Sequence, residues 1–244
     1  MKTMLITGAS SGIGKELALA AGSEEWNVIA CGRNEERLAE LAHGSEHIQT
    51  RAFDLTDPQA CERMLGDVCP DVVVLNAGNC EYVDVDDFNT ALFRRVFEAN
   101  FFSATHCIEV LLPRLKAGSQ LVLVDSMARL LPFTQSEAYG ASKAALHYMT
   151  RCIDVDLRPR GITVQSISPG FVKTPLTEKN TFSMPMQVQA SEAAQAILRS
   201  IQRRERAGYF PSVFAAIVRS LALLPSAVQV AICRRLARQQ EALS

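Results

Sequence analysis

Short apolar runs alternate with amphipathic stretches along most of the chain. Met4–Ile6, Trp26–Cys31, His47–Phe53, Asp71–Asn76, Leu121–Val124 and Ile162–Ile167 read as strands. The run from Asp71 to Asn76 has apolar residues on both faces, as a central parallel strand should. The gaps between the runs read as helices. Lys15–Ala20 follows the first strand, and Glu35–Ala42 turns Leu38 and Leu41 inward. Another helix starts at Asp57, a capping residue, with Pro58 in its first position. Two longer helical patterns run from Phe88 to Leu112, stopped by Pro113, and from Glu137 to Leu157, stopped by Pro159. Ser191 reads as the cap of a helix that reaches Arg204, and Ala207–Ser212 as a last short strand. Strands that alternate with helices predict a parallel sheet, because each parallel crossover needs a connecting helix. No repeat or linker divides the chain, so residues 1–244 are read as one α/β domain.

Two stretches break the alternation. Residues 174–189 are polar and irregular, with Pro175, Asn180 and Pro185, and read as a lid. Residues 213–244 form a tail. Val213–Leu224 is nearly all apolar with Arg219 as its one charge, and a basic helix follows Pro225.

A net charge of −1 gives no bulk attraction for nucleic acid. The seven cysteines are scattered, with neither CxxC spacing nor a Cys/His cluster, and most of them read as small buried hydrophobes in a reducing cytosol. His43, His47, His106 and His147 also lack metal-ligand spacing and read as structural or solvated. A signal-peptide pattern and a charge-free apolar run of about 20 residues are both absent, which favours a cytoplasmic location.

The chemistry concentrates first in Thr7–Gly14, TGASSGIG. Gly8, Gly12 and Gly14 allow a tight turn and close approach of a ligand to the backbone. The helix that opens near Gly12 aims unpaired N–H groups and its positive dipole end at the loop, with Ser10, Ser11 and Ile13 alongside. Strand, loop and helix together fit a dinucleotide pyrophosphate. Farther on, Tyr139 and Lys143 stand four apart in a helix and therefore share a face. A nearby ammonium favours phenolate, so Lys143 is expected to bring Tyr139, ordinarily near pKa about 10, toward neutral pH.

In order and spacing, TGASSGIG, Asn76-Ala77-Gly78, Asn100, Ser126, Tyr139-Gly-Ala-Ser-Lys143 and Pro169-Gly-Phe-Val-Lys-Thr174 resemble the short-chain dehydrogenase/reductase family, in its short single-domain branch. The resemblance spans Lys2 to about Pro211. It implies a Rossmann-type, doubly wound, mostly parallel sheet of about seven strands in the order 3-2-1-4-5-6-7. It also implies hydride transfer between a nicotinamide cofactor and a carbonyl or secondary alcohol. Tyr139 is then the acid/base, Ser126 holds the substrate oxygen, Lys143 binds the nicotinamide ribose, and Asn100 holds a water that links the lysine to solvent. Asp54 and Leu55 fall at the adenine, Asn76, Ala77 and Gly78 along the cofactor, and Pro169, Gly170, Val172 and Thr174 at the carboxamide. Two residues depart from the commonest pattern. Leu75 stands for a frequent asparagine and Asp125 for a small residue. Strand alternation points Asp125 away from the face that carries Ser126.

Cofactor choice is read at the end of the second strand. An NAD enzyme offers a carboxylate there. Here the residues are Gly32, which repels nothing, then Arg33, whose fork suits a phosphate, and Asn34. NADP(H) is the expected cofactor. Two other functions compete. A non-catalytic dinucleotide sensor or scaffold would not need the intact Tyr139–Lys143 pair. A sugar-nucleotide epimerase shares Tyr-x-x-x-Lys but usually carries a real second domain.

Residues 79–85, 127–135 and the lid are expected to line the substrate site. Leu130, Leu131, Phe133, Phe182, Met184 and Met186 there favour a bulky apolar substrate. Phe93, Phe97, Phe101, Ala145, Tyr148 and Met149 are candidates for excess apolar helix surface, and the resemblance implies a homodimer or homotetramer through those helices. The apolar tail has three open destinations: over the pocket, against a second subunit, or at a membrane surface suited to Arg234, Arg235 and Arg238.

Overall fold

The computed structural model describes residues 1–24, 26–180 and 184–241. Phe182 of the expected lid and the last three residues of the tail therefore lie outside the described residues. Seven strands form one parallel sheet: β1 (Thr3–Thr7), β2 (Asn27–Gly32), β3 (Ile48–Ala52), β4 (Val72–Leu75), β5 (Gln120–Val124), β6 (Thr163–Pro169) and β9 (Ala207–Phe210). Their order is β3-β2-β1-β4-β5-β6-β9. This is the expected order. The seventh strand is the ninth in the chain because β7 (Val172–Lys173) and β8 (Val188–Gln189) pair separately at the ends of the lid.

Alternation along each strand divides the core into two layers. Leu5, Val73, Leu121 and Leu123 face α3 (Pro58–Leu65), α5 (Ser103–Leu111) and α6 (Glu137–Leu157), whose Leu65, Leu111 and Leu146 fill that side. Met4, Ile6, Val74 and Val122 face α1 (Gly12–Ser23), α2 (Glu35–Ala42) and α7 (Ala190–Arg203), with Leu17, Leu38, Ile197 and Ile201. Thr3 of β1 aligns with Asn27 of β2, and Met4 with Val72 of β4, so the chain reverses its winding on either side of β1. In such sheets the crevice outside the strand carboxyl ends at that reversal is where ligands sit.

Local chemistry explains most element ends. Asn34 accepts the Arg37 N–H at 2.8 Å and Asp57 accepts that of Gln59 at 2.9 Å, which caps α2 and α3. Asn89 caps α4 (Thr90–Phe97), so this helix begins two residues after the expected Phe88. The expected single helix to Leu112 is broken by a π-helical turn, Glu98–Phe102, before α5. Ser191 is not a cap. Glu192 accepts the Gln189 N–H at 2.8 Å, so α7 already starts at Ala190 and Ser191 lies in its first turn.

The tail forms α8 (Ser212–Leu221) and α9 (Ser226–Glu241). Val213–Leu224 is nearly all apolar, yet only Ala215 and Val218 of α8 are fully buried.

Candidate active site

The loop after β1 builds one wall of a groove of about 570 Å³ at the sheet's carboxyl edge. Gly8 turns with φ +68°, and a Cβ there would stand 2.8 Å from the Ala77 Cα, so a side chain is excluded sterically and conformationally. Thr7 ties this loop to the end of β4. Its Oγ1 accepts the N–H groups of Asn76 at 3.0 Å and Ala77 at 3.2 Å, while Asn76 Nδ2 donates to the Thr7 carbonyl at 3.1 Å. The Ser11 side chain makes no capping bond to α1, which leaves that helix's first N–H groups for another acceptor.

Gly8, Ser10, Ser11, Gly12, Ile13, Arg33, Asn34, Asp54, Leu55, Asn76, Ala77, Gly78, Ser126, Tyr139, Lys143, Pro169, Gly170, Val172 and Thr174 all line this groove. Two expected residues do not. Gly14 lies behind the loop, where a Cβ would collide with the Gly8 carbonyl at 2.3 Å. Asn100 is wholly buried in the π-helical turn, one layer back. Its Oδ1 accepts the Asn79 N–H at 2.6 Å, and its Nδ2 donates to the Asn79 carbonyl and to Ser142 Oγ, each at 2.9 Å. The widened turn aims this amide at the loop, a common use of π-bulges. Gly78 is the close approach: a Cβ would lie 2.9 Å from Asn100 Oδ1 and 3.3 Å from Lys143 Nζ.

Two elements bring the three candidate reactive groups together. Ser126 follows β5, and α6 supplies Tyr139 and Lys143 one turn apart. Lys143 is buried, with Nζ 5.9 Å from the Tyr139 ring centroid and donating to the Val124 carbonyl at 3.0 Å. Burial lowers its pKa from 10.5 to about 8, while the charge of Asp125 pulls it back up. The Tyr139 phenol corrects an expectation. Packing around it, with Asp125 and Cys80 nearby, raises its pKa above the ordinary value, and only a hydrogen bond with Ser126 pulls it down. Desolvation of the anion wins, so Tyr139 holds its proton at neutral pH.

Asp125 does point away from Ser126, into a buried network that the sequence pattern did not disclose. Its carboxylate accepts from Ser166 at 2.7 Å and from Ser168, lies 3.4 Å from Arg129 Nε, and meets His147 Nδ1 at 2.8 Å. His147 stands four residues after Lys143, a spacing that offered the one available signal. Arg129 donates to Tyr209 at 3.1 Å, and Arg219 of α8 stacks over that ring at 4.6 Å. Among the described residues, no group of three His, Cys, Asp or Glu side chains is placed to hold a metal ion.

At the outer end of the groove, Arg33 and Asp54 face each other at 3.9 Å, both exposed. Arg37 also lines this end and was missed, because from sequence it is simply a charge on α2. Lys15 does not line the groove. On the other side, Cys80 keeps its thiol proton, since burial raises its pKa to about 11. The Tyr82 hydroxyl donates to Asn180 Oδ1, joining the loop after β4 to the lid. The inner face of α8 closes an apolar cluster that lies behind the groove and touches it at Gly170, so the expected stretch 127–135 does not itself line it. Met127, Leu131, Ala215 and Val218 form its core, with Leu130, Phe133 and Phe214 against them, and Phe214 and Phe171 stand 5.5 Å apart.

Residues 2–184 match the family model described as short chain dehydrogenase. The protein belongs to the short-chain dehydrogenase family. An uncharacterized oxidoreductase of Myxococcus xanthus is 30% identical over 96% of this chain and 97% of its own. A 3beta-hydroxysteroid dehydrogenase of Mediterraneibacter gnavus is 33% identical over 74% of this chain and 69% of its own. Among solved structures, a short-chain dehydrogenase from Sphingobium yanoikuyae in complex with NADPH superposes with TM-score 0.81 at 26% identity, covering 91% of this chain and 92% of that one. The chain is thus an oxidoreductase of a family that uses nicotinamide cofactors and acts on small molecules.

Proposed function

We propose that this dehydrogenase reduces a bulky apolar ketone, or oxidises the matching secondary alcohol, with NADP(H). The observation that carries the reading is the meeting of Ser126, Tyr139 and Lys143 at the inner end of a groove whose outer end holds Arg33 and Arg37. The groove fits a dinucleotide, with a glycine loop that no side chain could occupy and an uncapped helix end facing it. Bound there, the nicotinamide supplies or accepts the hydride, and the chain's residues do the rest.

Ser126 holds the carbonyl oxygen beside Tyr139. The phenol, kept protonated by its surroundings, gives its proton to that oxygen in the reductive direction and recovers one afterwards. Lys143 binds the nicotinamide ribose hydroxyls and places a positive charge next to the phenol as it becomes negative. Asn100 acts from behind, fixing Asn79 and Ser142 and so the spacing between the loop and α6. Gly8, Ser10, Ser11, Gly12 and Ile13 hold the pyrophosphate. Asp54 and Leu55 hold the adenine, and Asn76, Ala77 and Gly78 border the cofactor. Pro169, Gly170, Val172 and Thr174 hold the carboxamide. Arg33, Asn34 and Arg37 receive the 2′-phosphate.

The apolar cluster of Met127, Leu130, Leu131, Phe133 and Phe214, which reaches the groove at Gly170, supports an apolar substrate, as does a relative named for a hydroxysteroid. Thr174, Pro175, Leu176 and Thr177 at the start of the lid border the same groove. We place the enzyme in the cytoplasm as a homodimer or homotetramer. The test is cofactor oxidation with a panel of short and bulky ketones, NADPH against NADH, in wild type and Tyr139→Phe. Turnover of bulky ketones that falls at least about a hundredfold in the variant, with cofactor binding retained, is the expected result. Cofactor binding without turnover of any carbonyl would favour a sensor instead.

A further inference from the structure

Helices α8 and α9 have an inner face that is accounted for and an outer face that no described residue covers. Inward, Ala215, Val218 and Cys233 pack on Met127 and Leu131. Outward, Val213 is 62% exposed and Ile217, four residues on and therefore on the same stripe, 46%. Leu223 is 87% exposed at the turn between the helices, and Val228 is exposed just beyond it. This turn is held in place, since Gln229 Nε2 donates to the Ala222 and Leu224 carbonyls at 3.1 and 2.8 Å. Leu223 thus projects from an ordered corner, where exposing a large apolar side chain gains the folded chain nothing.

The charge on these two helices is mostly of one sign. From Ser212 to Glu241 the sequence holds four arginines, Arg219, Arg234, Arg235 and Arg238, against one acid, Glu241 at the last residue of α9. Arg234, Arg235 and Arg238 are exposed on α9, and Arg234 and Arg238 share a stripe. A second copy of the chain applied to this face would set arginine against arginine. A surface both apolar and anionic answers both features at once. No described helix is long and apolar enough to cross a membrane, so the contact is one of lying on the surface.

We propose that α8 and α9 dock the protein on an anionic lipid bilayer. Val213, Ile217, Leu223 and Val228 enter the headgroup boundary, and Arg234, Arg235 and Arg238 pair with lipid phosphates. Because Phe214 of α8 also packs at Gly170 on the groove, a docked enzyme would hold its substrate side next to the lipid. That consequence rests on the proposed chemistry; the docking itself does not.

The experiment is flotation of the full-length protein with vesicles of phosphatidylcholine alone or mixed with phosphatidylglycerol, in low and high salt. Wild type should float with the mixed vesicles in low salt and be released by high salt. Arg234→Glu, Arg235→Glu and Arg238→Glu together should weaken binding about tenfold or more. Leu223→Asp, at a site with almost no packing to lose, should weaken it too while leaving ketone turnover and the melting temperature unchanged. Wild type that stays unbound to both vesicles in low salt overturns the proposal. So does binding that ignores salt, a control that holds even if the triple variant fails to fold. A dimer that Leu223→Asp converts to monomer, without vesicle binding by wild type, would assign the face to a second copy instead.

Discussion

The Asp125 carboxylate and the His147 imidazole meet at 2.8 Å one residue along the chain from Ser126 and one turn along α6 from Lys143. This contact joins the end of β5 to the helix that carries the reactive pair, and Ser166 and Ser168 tie both to β6. Asp125 also forms a buried ion pair with Arg129 at 3.4 Å, and removing one partner of such a pair typically costs about 3–5 kcal/mol. Asp125→Asn should therefore lower the urea midpoint by a loss of that order, with the neighbouring Arg129 left without its countercharge. The same variant should let Lys143 lose its proton at lower pH, because the Asp125 charge now opposes that loss. An unchanged midpoint and an unchanged pH profile would show that the network holds nothing in place.

Lys143 sets a second expectation. Its ammonium persists below about pH 8, so NADPH-driven reduction should be level through neutral pH and decline above about 8. Its effect on stability has the opposite trend. A lysine whose pKa is lowered by folding binds its proton more tightly in the unfolded chain between pH 8 and its ordinary 10.5. Folding stability from this residue therefore rises with pH in that window, by about 1.4 kcal/mol per unit at most. Lys143→Met has no such proton and should lack the rise. Urea midpoints of both proteins at several pH values between 7 and 10 check the sign.

Arg33 should decide the cofactor. Arg33→Asp removes a charge-assisted contact, worth about 1.5–3 kcal/mol, and adds a carboxylate one residue after the position where NAD enzymes carry one. The ratio of kcat/KM for NADPH to that for NADH should fall by about tenfold or more. Arg37→Ala should shift the ratio the same way by less. A wild type that uses NADH as well as NADPH would rule out this role for Arg33.

Assembly should depend on the exposed side of α6 and the π-helical turn. Tyr148, Val155 and Phe102 are 74%, 69% and 41% exposed, while Phe93, Phe97, Phe101 and Met149 are partly packed inward. The excess apolar surface is thus carried by fewer residues than the helical pattern alone suggested. Tyr148→Glu should convert the expected dimer or tetramer into smaller species in sedimentation velocity. A wild-type monomer at micromolar concentration would reject the interface.

Local pattern was enough to read most of this protein. A strand apolar on both faces needs helices on both sides, and a capped helix announces its start, so the sheet, the bounds of α2 and the start of α3 were legible from spacing alone. The same holds for the turn of the glycine loop and for the placing of Tyr139 and Lys143 on one face of α6, because both depend on neighbours a few residues away. What the linear chain could not state is what lies across the sheet. Asp125, His147 and Ser166 are far apart in sequence, and only the register of β5 with β6 and the packing of α6 bring them within hydrogen-bonding distance. Burial is equally nonlocal. Lys143 near Tyr139 argues for an easily ionised phenol, yet the surrounding layers desolvate both groups and raise the phenol instead. The tail shows the same division, since its composition called for burial and its tertiary contacts cover just one face.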